Sequence, residues 1–527
     1  MSIKMIKLKP IIWTISGSDC SGGAGIAADI KTGHGLSVEV CHLITANTVQ
    51  NSNALVAINA TSIEILQQQV DILLEDKPPA VIKIGLIVNE QQVLWLSKTL
   101  QYLKQIEPAL ITVFDPVGQA SVGGELSKLS IKQLSPLFAH IDIVTPNLSE
   151  AKTLAQLSNG TDIPLLAKKI YQDFAIKSVI IKGGHSEVAS SAEGAYSTDY
   201  CYHQLNKMKQ DNQEKEQLSV FYKLRSKRVN THYTHGGGCC FASALAAFLA
   251  HGYLVRDAFT LSKAFMNQGL TLSEQVSSTQ QHTYYGAFES GSWPNNPDDF
   301  PQIEDISENL SLPHTSFNSL QLGNSKLGLY PVIDSLYWLK RLLPLGLAII
   351  QLRVKNLPQV ELEQVISQAV ELAKDYQTRL FINDYWQLAI KYKAYGVHIG
   401  QEDLADADLV KIQQAGLRLG ISTHGCYEFL LAQQLRPSYL AVGAIFPTKT
   451  KDMTGQIQGL DNLKQLIGLR TLNDSQQIPM VAIGGITLTK AAQVLTTGVD
   501  SIAVVTAITE AEQPEQVVNE FKQLIGQ

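Results

Sequence analysis

Cysteine is scarce in this chain, and the few cysteines are scattered. The 527 residues contain 6 cysteines without metal-ligand spacing, so neither a disulfide framework nor a zinc site is indicated. The N-terminus lacks the apolar core and cleavage site of a signal peptide, and no stretch approaches about 18 uninterrupted apolar residues. These absences argue against a secreted scaffold and a membrane span, and we expect a cytoplasmic location.

An excess of basic residues is also missing. The formal net charge is −6, which argues against nucleic acid or a membrane surface as a partner. Hydrophobic residues make up 45% and charged residues 17% of the chain, as in globular domains with well-filled cores. A chain of this length predicts two or three domains. We expect small-molecule substrates, and the sequence leaves a homo-oligomer open.

The first half of the chain alternates short apolar runs with amphipathic segments. This alternation predicts an α/β fold in αβα layers, with a mostly parallel sheet covered on both faces. A polar stretch at 203–217 interrupts the pattern and reads equally well as a surface hairpin or a disordered loop. At 286–320, proline, asparagine, aspartate and serine dominate and no hydrophobic periodicity remains. This composition predicts a linker between domains at 1–285 and 321–527.

The second half contains a regular series of strand candidates, most of them followed by a helical segment. They lie at 328–333, 347–354, 379–384, 396–400, 418–424, 439–446, 479–486 and 501–508. An eightfold βα series of this length is typical of a (β/α)8 TIM barrel. Because the chemistry of such barrels sits where the strands end, the strand-end residues are the candidate site.

Polar side chains are frequent at these strand ends. Asp384 and Asp403 follow neighbouring strands and offer the hard oxygen ligands that Mg²⁺ prefers. Arg353, Lys355 and Lys451 supply positive charge for a polyphosphate beside it. A glycine pair follows strand seven, where barrels often bind a phosphate. Taken singly, the aspartates also fit helix N-caps and the glycines a tight turn, but together they predict a transfer between two anionic substrates.

The motifs of this half resemble thiamine phosphate synthase, over 326–527. They are GLYPVIDS, QLRVK, FINDYWQLAIKYKAYGVHIGQEDL, LGISTH, FPTKTK and VAIGGI. The resemblance implies that Asp384 and Asp403 bind Mg²⁺ and that Arg353 and Lys451 are catalytic. The implied ligands of the pyrimidine diphosphate are Gln351, Leu352, Arg353, Val354, Lys355, Asn383, Ser422 and Lys451. The implied ligands of the thiazole phosphate are Thr448, Lys449, Thr450, Gly485, Val505 and Thr506.

Two glycine-rich segments stand out in the first half. SGSDCSGGAGIAADIKT (16–32) follows the first strand, and THGGGCC (234–240) precedes an apolar helix. Consecutive backbone N–H groups at a helix N-terminus suit a transferring phosphate, and the same positive end is expected to lower the pKa of a cysteine placed there. The first segment lacks the lysine of a Walker A loop, and a plain glycine-rich turn remains an alternative for it.

Charged residues at later strand ends suit a nucleotide. Asn147 and Glu150 in VTPNLSEA are spaced to help organise Mg²⁺ and its water shell. Asp115 in FDPV can assist them, and Lys182 in IIKGGH ends a strand from which it can meet ATP phosphates.

These segments resemble the ribokinase-like superfamily and, within it, hydroxymethylpyrimidine/phosphomethylpyrimidine kinase, over about residues 10–270. The resemblance implies that the pyrimidine is bound by Gly17, Asp29 and Gln50. It implies that ATP and Mg²⁺ are handled by Asp115, Glu150 and Lys182, with an anion hole formed by Gly236, Gly237 and Gly238. Cys239 is the implied catalytic residue, acting either as a base or as a polarising group.

The chain departs from the kinase motif at several positions. Gly237 stands where the family usually has threonine, and Cys20 where it usually has proline. The family usually has methionine at the position of Leu86 and near Gly118. Because glycine has the most conformational freedom to lose, Gly237 is expected to loosen the anion hole.

The two resemblances imply consecutive reactions on one chain. The first half would use ATP to phosphorylate a hydroxymethylpyrimidine twice, and the second half would condense the diphosphate with a thiazole phosphate, with Mg²⁺ in both. One alternative is an active synthase fused to an impaired kinase that mainly binds pyrimidine. Another is a non-catalytic ligand sensor that has kept both folds.

Overall fold

The computed structural model of the chain forms two compact units, Met1–Pro294 with Asp298–Ser307, and Asn295–Pro297 with Glu308–Gln527. The structure describes residues 8–51, 54–118, 127–157, 162–183, 195–208, 215–279, 287–305, 315–321, 327–448, 457–473 and 476–526. Within these ranges, no helix combines the length and the apolar character that crossing a bilayer requires.

A single ten-stranded sheet forms the centre of the first unit. Its strands are β1 (Ile11–Ser18), β2 (Glu39–Gln50), β3 (Leu55–Ala60), β4 (Val81–Ile84), β5 (Ile111–Phe114), β6 (Ile143–Val144), β7 (Ser178–Ile181), β8 (Tyr196–Met208), β9 (Lys215–Lys227) and β10 (Gln302–Asp305). They lie in the order β10-β9-β8-β7-β6-β5-β4-β1-β2-β3, parallel from β2 to β7 and antiparallel at both edges. The predicted mostly parallel sheet is confirmed. Of the polar stretch at 203–217, the described residues 203–208 lie in β8 and 215–217 in β9, and these two strands pair with each other.

Helices flank this sheet, and their sequences explain where they form. They are α1 (Gly25–Gly35), α2 (Ile63–Asp76), α3 (Glu90–Ile106), α4 (Ile131–Phe138), α5 (Leu148–Leu154), α6 (Ile163–Phe174), α7 (Gly237–Ala250) and α8 (Val255–Thr279). At the start of α3, the Asn89 side chain accepts a hydrogen bond from the Gln92 amide at 3.0 Å. Val93, Leu96 and Leu100 then recur at helical spacing and are buried in the core against the sheet.

The second unit is a closed barrel of eight parallel strands, which confirms the predicted TIM barrel. The barrel strands are β11 (Gly328–Ile333), β12 (Ile349–Leu352), β13 (Arg379–Asn383), β14 (Gly396–Ile399), β15 (Arg418–Thr423), β16 (Tyr439–Val442), β19 (Met480–Ile483) and β20 (Ser501–Val504). A small hairpin, β17 (Leu472–Asn473) and β18 (Gln476–Gln477), lies between β16 and β19 in the chain. The surrounding helices are α9 (Leu336–Leu342), α10 (Gln359–Lys374), α11 (Trp386–Lys391), α12 (Leu409–Gln414), α13 (Cys426–Gln434), α14 (Gly459–Gly468), α15 (Leu488–Leu495), α16 (Thr506–Thr509) and α17 (Pro514–Ile525).

The eighth barrel strand is shorter than its sequence predicts. The apolar run 501–508 predicts one strand, but β20 ends at Val504, and Thr506 already begins α16. A short apolar run does not distinguish a strand from a buried helical turn, because both bury the same residue types. The consequence is that Val505 and Thr506 lie at a strand-to-helix junction beside the cavity described below.

The stretch 286–320, for which a linker is predicted, contributes to both units. Gln302–Asp305 forms β10, paired with β9 at the edge of the first sheet. Phe317 and Leu320 are buried, and Leu320 belongs to the core of the barrel unit. A four-residue edge strand is too short to show a hydrophobic period, which is why the sequence does not reveal it. The predicted domain limits at 285 and 321 stay predictions.

Candidate active sites

In the first unit the two glycine-rich segments pack against each other. Gly236, the N-cap of α7, has φ +84°, and a β-carbon there would lie 1.8 Å from the Gly23 carbonyl oxygen, so only glycine fits. Beside this contact, His235 Nε2 lies 2.8 Å from Asp19 Oδ2, and the same carboxylate oxygen accepts from the Ala24 amide at 3.0 Å. A buried pair thus ties the loop after β1 to the start of α7.

The start of α7 lies next to a lysine and a carboxylate. A β-carbon built on Gly238 would lie 3.5 Å from Lys182 Nζ and 3.8 Å from Asp115 Oδ2. Lys182 Nζ itself donates to Asp115 Oδ1 at 2.7 Å. Among the three predicted anion-hole glycines, the Gly237 amide is engaged, because it donates to the Thr234 carbonyl at 3.0 Å. The structure therefore brings Lys182, Asp115 and the helix N-terminus to one place.

Glu150 belongs to the same cluster of charges. It caps α5 reciprocally with Asn147, whose amide donates to the Glu150 carboxylate at 2.8 Å. Burial, together with the Asp115 carboxylate, raises the pKa of Glu150 to about 7, although Lys182 acts to lower it. Burial opposes protonation of Lys182, but Asp115 and Glu150 raise the pKa of this ammonium above its ordinary value. The cluster holds one firm positive charge and a carboxyl group that titrates near neutrality.

The Cys239 thiol does not have the lowered pKa that its position at a helix start predicts. Burial raises its pKa to about 12, and Asp29 and Asp115 act in the same direction. The Lys83 ammonium lowers it, but by less than burial raises it. Position along a helix is visible in the sequence, whereas burial among carboxylates is not. Cys239 therefore carries its proton at neutral pH.

Asp29 also differs from its prediction as a ligand-facing carboxylate. It is fully buried in α1, and Lys83 Nζ lies 2.9 Å from each of its oxygens. Ser243 donates to it at 2.7 Å, and Thr14 donates as well. The carboxylate is thus enclosed by partners from β1, β4 and α7. Lys83 is not among the residues predicted from the sequence, although a lysine inside the apolar strand VIKI is a readable signal.

The other predicted pyrimidine residues lie at strand ends, in contact with positions where the chain departs from the kinase motif. Cys20 Sγ donates to the Gln50 carbonyl at 3.0 Å and accepts from the Gln50 amide at 3.4 Å. A β-carbon on Gly17 would lie 2.8 Å from Leu86 Cδ2. Cys20 and Leu86, two of the residues at which the chain departs from the kinase motif, thus border Gln50 and Gly17 respectively.

In the second unit a cavity of 390 Å³ opens at the carboxyl ends of the barrel strands. Predicted residues that line it are Gln351, Arg353, Lys355, Asn383, Asp384, Asp403, Ser422, Thr448, Gly485, Val505 and Thr506. Leu352 and Val354 are buried and do not line it, because alternate residues along a strand face opposite ways. Lys449, Thr450 and Lys451 lie outside the described residues.

Asp384 and Asp403 lie close enough to disturb each other. Burial, followed by the charge of Asp403, raises the pKa of Asp384 to about 6, although Arg353 and Lys355 oppose the shift. Asp384 adopts φ +63°, and Asn383 donates a hydrogen bond to its carboxylate. In the described part of the chain, no cluster of three or more metal-ligating side chains exists. Two carboxylates that repel each other fit a Mg²⁺ ion whose remaining ligands come from phosphate and water.

The far side of the cavity is shaped by backbone. Gly485 has φ +61°, and a β-carbon there would lie 2.4 Å from the Pro447 carbonyl oxygen. Lys490, the third residue of α15, lines the same wall, with Nζ 4.6 Å from the centre of the Phe446 ring. Lys490, five residues after the glycine pair, is not among the residues predicted from the sequence. A cation and a wall that only glycine backbone fits are suitable for a second anionic group.

Comparison with known proteins finds one enzyme family for each unit. The model of the phosphomethylpyrimidine kinase family matches residues 19–284, and that of thiamine monophosphate synthase matches residues 329–508. The thiamine-phosphate synthase of Yersinia pestis is 54% identical over 200 residues, which cover 38% of this chain and 91% of that protein. The chain belongs to both families. Its first unit is a phosphomethylpyrimidine kinase domain, and its second a thiamine phosphate synthase domain, so one chain joins two enzymes of thiamine biosynthesis.

Further relatives match one domain each. The thiamine-phosphate synthase of Photorhabdus laumondii is 50% identical over 215 residues, covering 41% of this chain and 96% of the relative. The phosphomethylpyrimidine kinase of Clostridium difficile, known from a crystal structure, is 26% identical in sequence, with a TM-score of 0.39. The match covers 49% of this chain and 99% of that kinase.

Proposed function

We propose that the kinase domain uses ATP to phosphorylate 4-amino-5-hydroxymethyl-2-methylpyrimidine twice, and that the synthase domain condenses the resulting diphosphate with 4-methyl-5-(2-phosphoethyl)thiazole. The observation that carries the proposal is the presence of both domains on one chain, since the product of the first is the substrate of the second. The products are thiamine phosphate and pyrophosphate. Each site supports its step with its own chemistry.

In the kinase step the substrate hydroxyl oxygen attacks the γ-phosphorus, and the bond to the ADP oxygen breaks. Lys182 and the N-terminus of α7 at Gly238 lie where they stabilise the charge on the transferring group. Asp115 and Glu150 would hold Mg²⁺, which neutralises phosphate charge when bound. Binding of phosphate there requires Lys182 to shift part of its contact from Asp115 to the nucleotide.

Cys239 acts as a polarising group in this proposal. Its pKa of about 12 keeps the thiol protonated at neutral pH, so it is not a ready base for the substrate hydroxyl. Phosphoryl transfer passes through a loose transition state in which the hydroxyl proton leaves late. A neutral thiol at the helix start can hold the hydroxyl in line with the phosphorus without accepting that proton. The contribution of Cys239 is then orientation.

In the synthase step the pyrimidine methylene carbon loses pyrophosphate, and the thiazole nitrogen forms the new C–N bond. Arg353 and Lys355 line the cavity beside Asp384 and stabilise the departing charge. The amino-pyrimidine ring stabilises the methylene cation, so no protein nucleophile is required. Asp384 and Asp403 would hold Mg²⁺, which adds positive charge at the leaving group. Lys451 stays a predicted partner of that group.

One experiment with two starting points tests both halves. The purified full chain is supplied with ATP, Mg²⁺ and thiazole phosphate, and either the pyrimidine alcohol or preformed diphosphate. Thiamine phosphate should form from both. Cys239→Ala should lower formation from the alcohol only, whereas Asp403→Asn should lower formation from either start.

The outcomes separate the alternatives. Product from preformed diphosphate alone would show an impaired kinase that mainly binds pyrimidine. No product from either start would overturn the proposed function and favour a ligand sensor. Equal loss of both activities in Cys239→Ala would contradict the assignment of one reaction to each domain.

A further inference from the structure

Beneath the synthase cavity, a continuous chain of hydrogen bonds crosses the barrel interior. Gln351 Nε2 donates to the Tyr330 hydroxyl at 3.3 Å, and the hydroxyls of Tyr330 and Tyr439 are 2.7 Å apart. The Tyr439 hydroxyl lies 2.7 Å from His398 Nδ1, and His398 Nε2 lies 2.8 Å from Ser422 Oγ. We call these five residues the barrel relay. They come from β11, β12, β14, β15 and β16.

The barrel relay is buried except where it reaches the cavity. Tyr330, Tyr439 and His398 are 1%, 0% and 5% exposed, so their side-chain polar atoms form hydrogen bonds within the relay in place of water. Ser422 is partly exposed and lines the cavity, and Gln351 and His398 line it from other strands. An apolar barrel core would avoid the cost of burying these groups. The relay therefore links the cavity to two tyrosines that do not line it.

Hydrogen counting gives the relay a direction. His398 is buried and its two ring nitrogens face the hydroxyls of Tyr439 and Ser422, so the ring is neutral and carries one N–H. Gln351 donates to the Tyr330 oxygen, which leaves the Tyr330 hydrogen for Tyr439.

The remaining members follow in order. Tyr439 then donates to His398 Nδ1, and His398 Nε2 carries its hydrogen toward Ser422 Oγ. The opposite direction would leave the Tyr330 hydrogen without an acceptor in the relay, since Tyr330 would accept from both neighbours. In the favoured direction Ser422 Oγ accepts from His398, and its own hydrogen is left for the cavity.

We propose that the barrel relay is a positioning device that holds the Ser422 hydroxyl as a hydrogen-bond donor toward the anionic pyrimidine substrate. This proposal rests on the proposed synthase reaction, which identifies that substrate. A serine that donated to His398 would present only lone pairs to a phosphate oxygen, which is repulsive. Tyr439 and Tyr330, which do not line the cavity, then act through His398 and Ser422.

Imidazole nitrogen NMR tests the direction without turnover. In the ¹⁵N-histidine-labelled full chain at neutral pH, the signal of His398, assigned by its loss in His398→Gln, should show a protonated Nε2 and an unprotonated Nδ1. In Tyr439→Phe, Nδ1 loses its donor and the two tautomers should mix. A protonated Nδ1 in the unaltered chain would overturn the proposal.

Kinetics test the consequence, with Tyr395→Phe as a matched control. Tyr395 donates from its hydroxyl to the Leu320 carbonyl at 2.7 Å in the same unit but outside the relay. Both variants lose a phenolic hydroxyl that donates one hydrogen bond, and Tyr439→Phe also loses the bond accepted from Tyr330, so both should lose stability. Only Tyr439→Phe should raise the KM for the preformed diphosphate, by about tenfold, the loss expected for one oriented hydrogen bond to an anion.

A double variant shows whether the effect passes through Ser422. Combining Tyr439→Phe with Ser422→Ala should give the KM of Ser422→Ala alone, whereas Tyr395→Phe should not alter it. An unchanged KM in Tyr439→Phe, or independent effects in the double variant, would overturn the relay while the unaltered chain still makes thiamine phosphate. If the unaltered chain makes none, the proposed function fails, and the His398 tautomer alone decides the relay.

Discussion

The kinase site pairs its buried lysines with carboxylates, whereas the synthase cavity places two carboxylates next to each other. Lys182 contacts Asp115, and Lys83 is enclosed with Asp29, in each case below 3 Å. In the barrel, the charge of Asp403 helps raise the pKa of Asp384 to about 6. An open sheet lets residues from distant strands and α7 neutralise each other before ligand arrives, while converging barrel strands bring carboxylates together for a cation to neutralise.

The largest expected effect concerns the buried pair of the kinase domain. Lys83→Met leaves the fully buried Asp29 without its cation, so the kinase domain should lose about 3–5 kcal/mol of unfolding free energy. Peptide-resolved hydrogen exchange in urea measures this loss and separates the two domains. Lys169→Met, which removes an exposed partner of Asp173, is the control and should cost below about 0.5 kcal/mol. Similar losses in the two variants would show that the buried ion pair stabilises the domain no more than a surface ion pair does.

Lys182→Met should slow phosphorylation of the pyrimidine alcohol by about 100- to 1,000-fold, because it removes a positive charge from the transferring phosphate. Condensation from preformed diphosphate should not change. Lys177→Met is the matched control, because Lys177 precedes the same strand, β7, at its opposite end and pairs with Asp142. Product assays from the two starting points measure both effects. A comparable loss in Lys177→Met would refute the placement of the phosphate at Lys182.

Asp384 makes the stability of the synthase domain depend on pH. Its folded pKa, about 6, lies above its unfolded value, so its contribution is present below pH 4 and is lost as pH rises through 6. Without Mg²⁺ the loss should be about 2 kcal/mol, since partial exposure reduces the full effect. Added Mg²⁺ should restore stability at neutral pH. Urea unfolding from pH 4 to 7 checks this, and Asp384→Asn should flatten the profile. A profile that Asp384→Asn leaves unchanged would assign the pH dependence to other groups.

The smallest effect concerns the residue at which the kinase motif is interrupted. A β-carbon on Gly237 would meet only Met266 Cε, at 3.5 Å, so Gly237→Thr fits without strain. It should stabilise the kinase domain by up to about 1 kcal/mol by restricting the unfolded chain, and raise kinase turnover a few-fold. Gly236→Thr is the opposite control, because it meets the Gly23 carbonyl and should destabilise. Slower turnover in Gly237→Thr would mean that the flexible loop suits this enzyme.

Much of the synthase site could be predicted because its residues follow local rules. Each of Asp384, Asp403 and Ser422 lies at or just after a strand end, and the barrel brings all strand ends to one face. The same rule fails for Leu352 and Val354. The QLRVK motif is a contiguous run, but successive side chains of an extended segment point to opposite faces, so only alternate residues reach the cavity. In the kinase domain the rule predicts Asp115 and Lys182 beside the glycine run, but not which partner each charge takes.

The sequence by itself determined the two folds, their order, and the residue types at each site, because hydrophobic period, glycine runs and strand-end polarity are local properties. Only the tertiary structure decided that Asp29 is enclosed with Lys83, 54 positions away, that Cys239 keeps its proton, and that His398 connects Tyr439 to Ser422. Those outcomes depend on burial and on contacts between distant segments. Neither burial nor long-range contacts can be deduced from any single stretch of the chain.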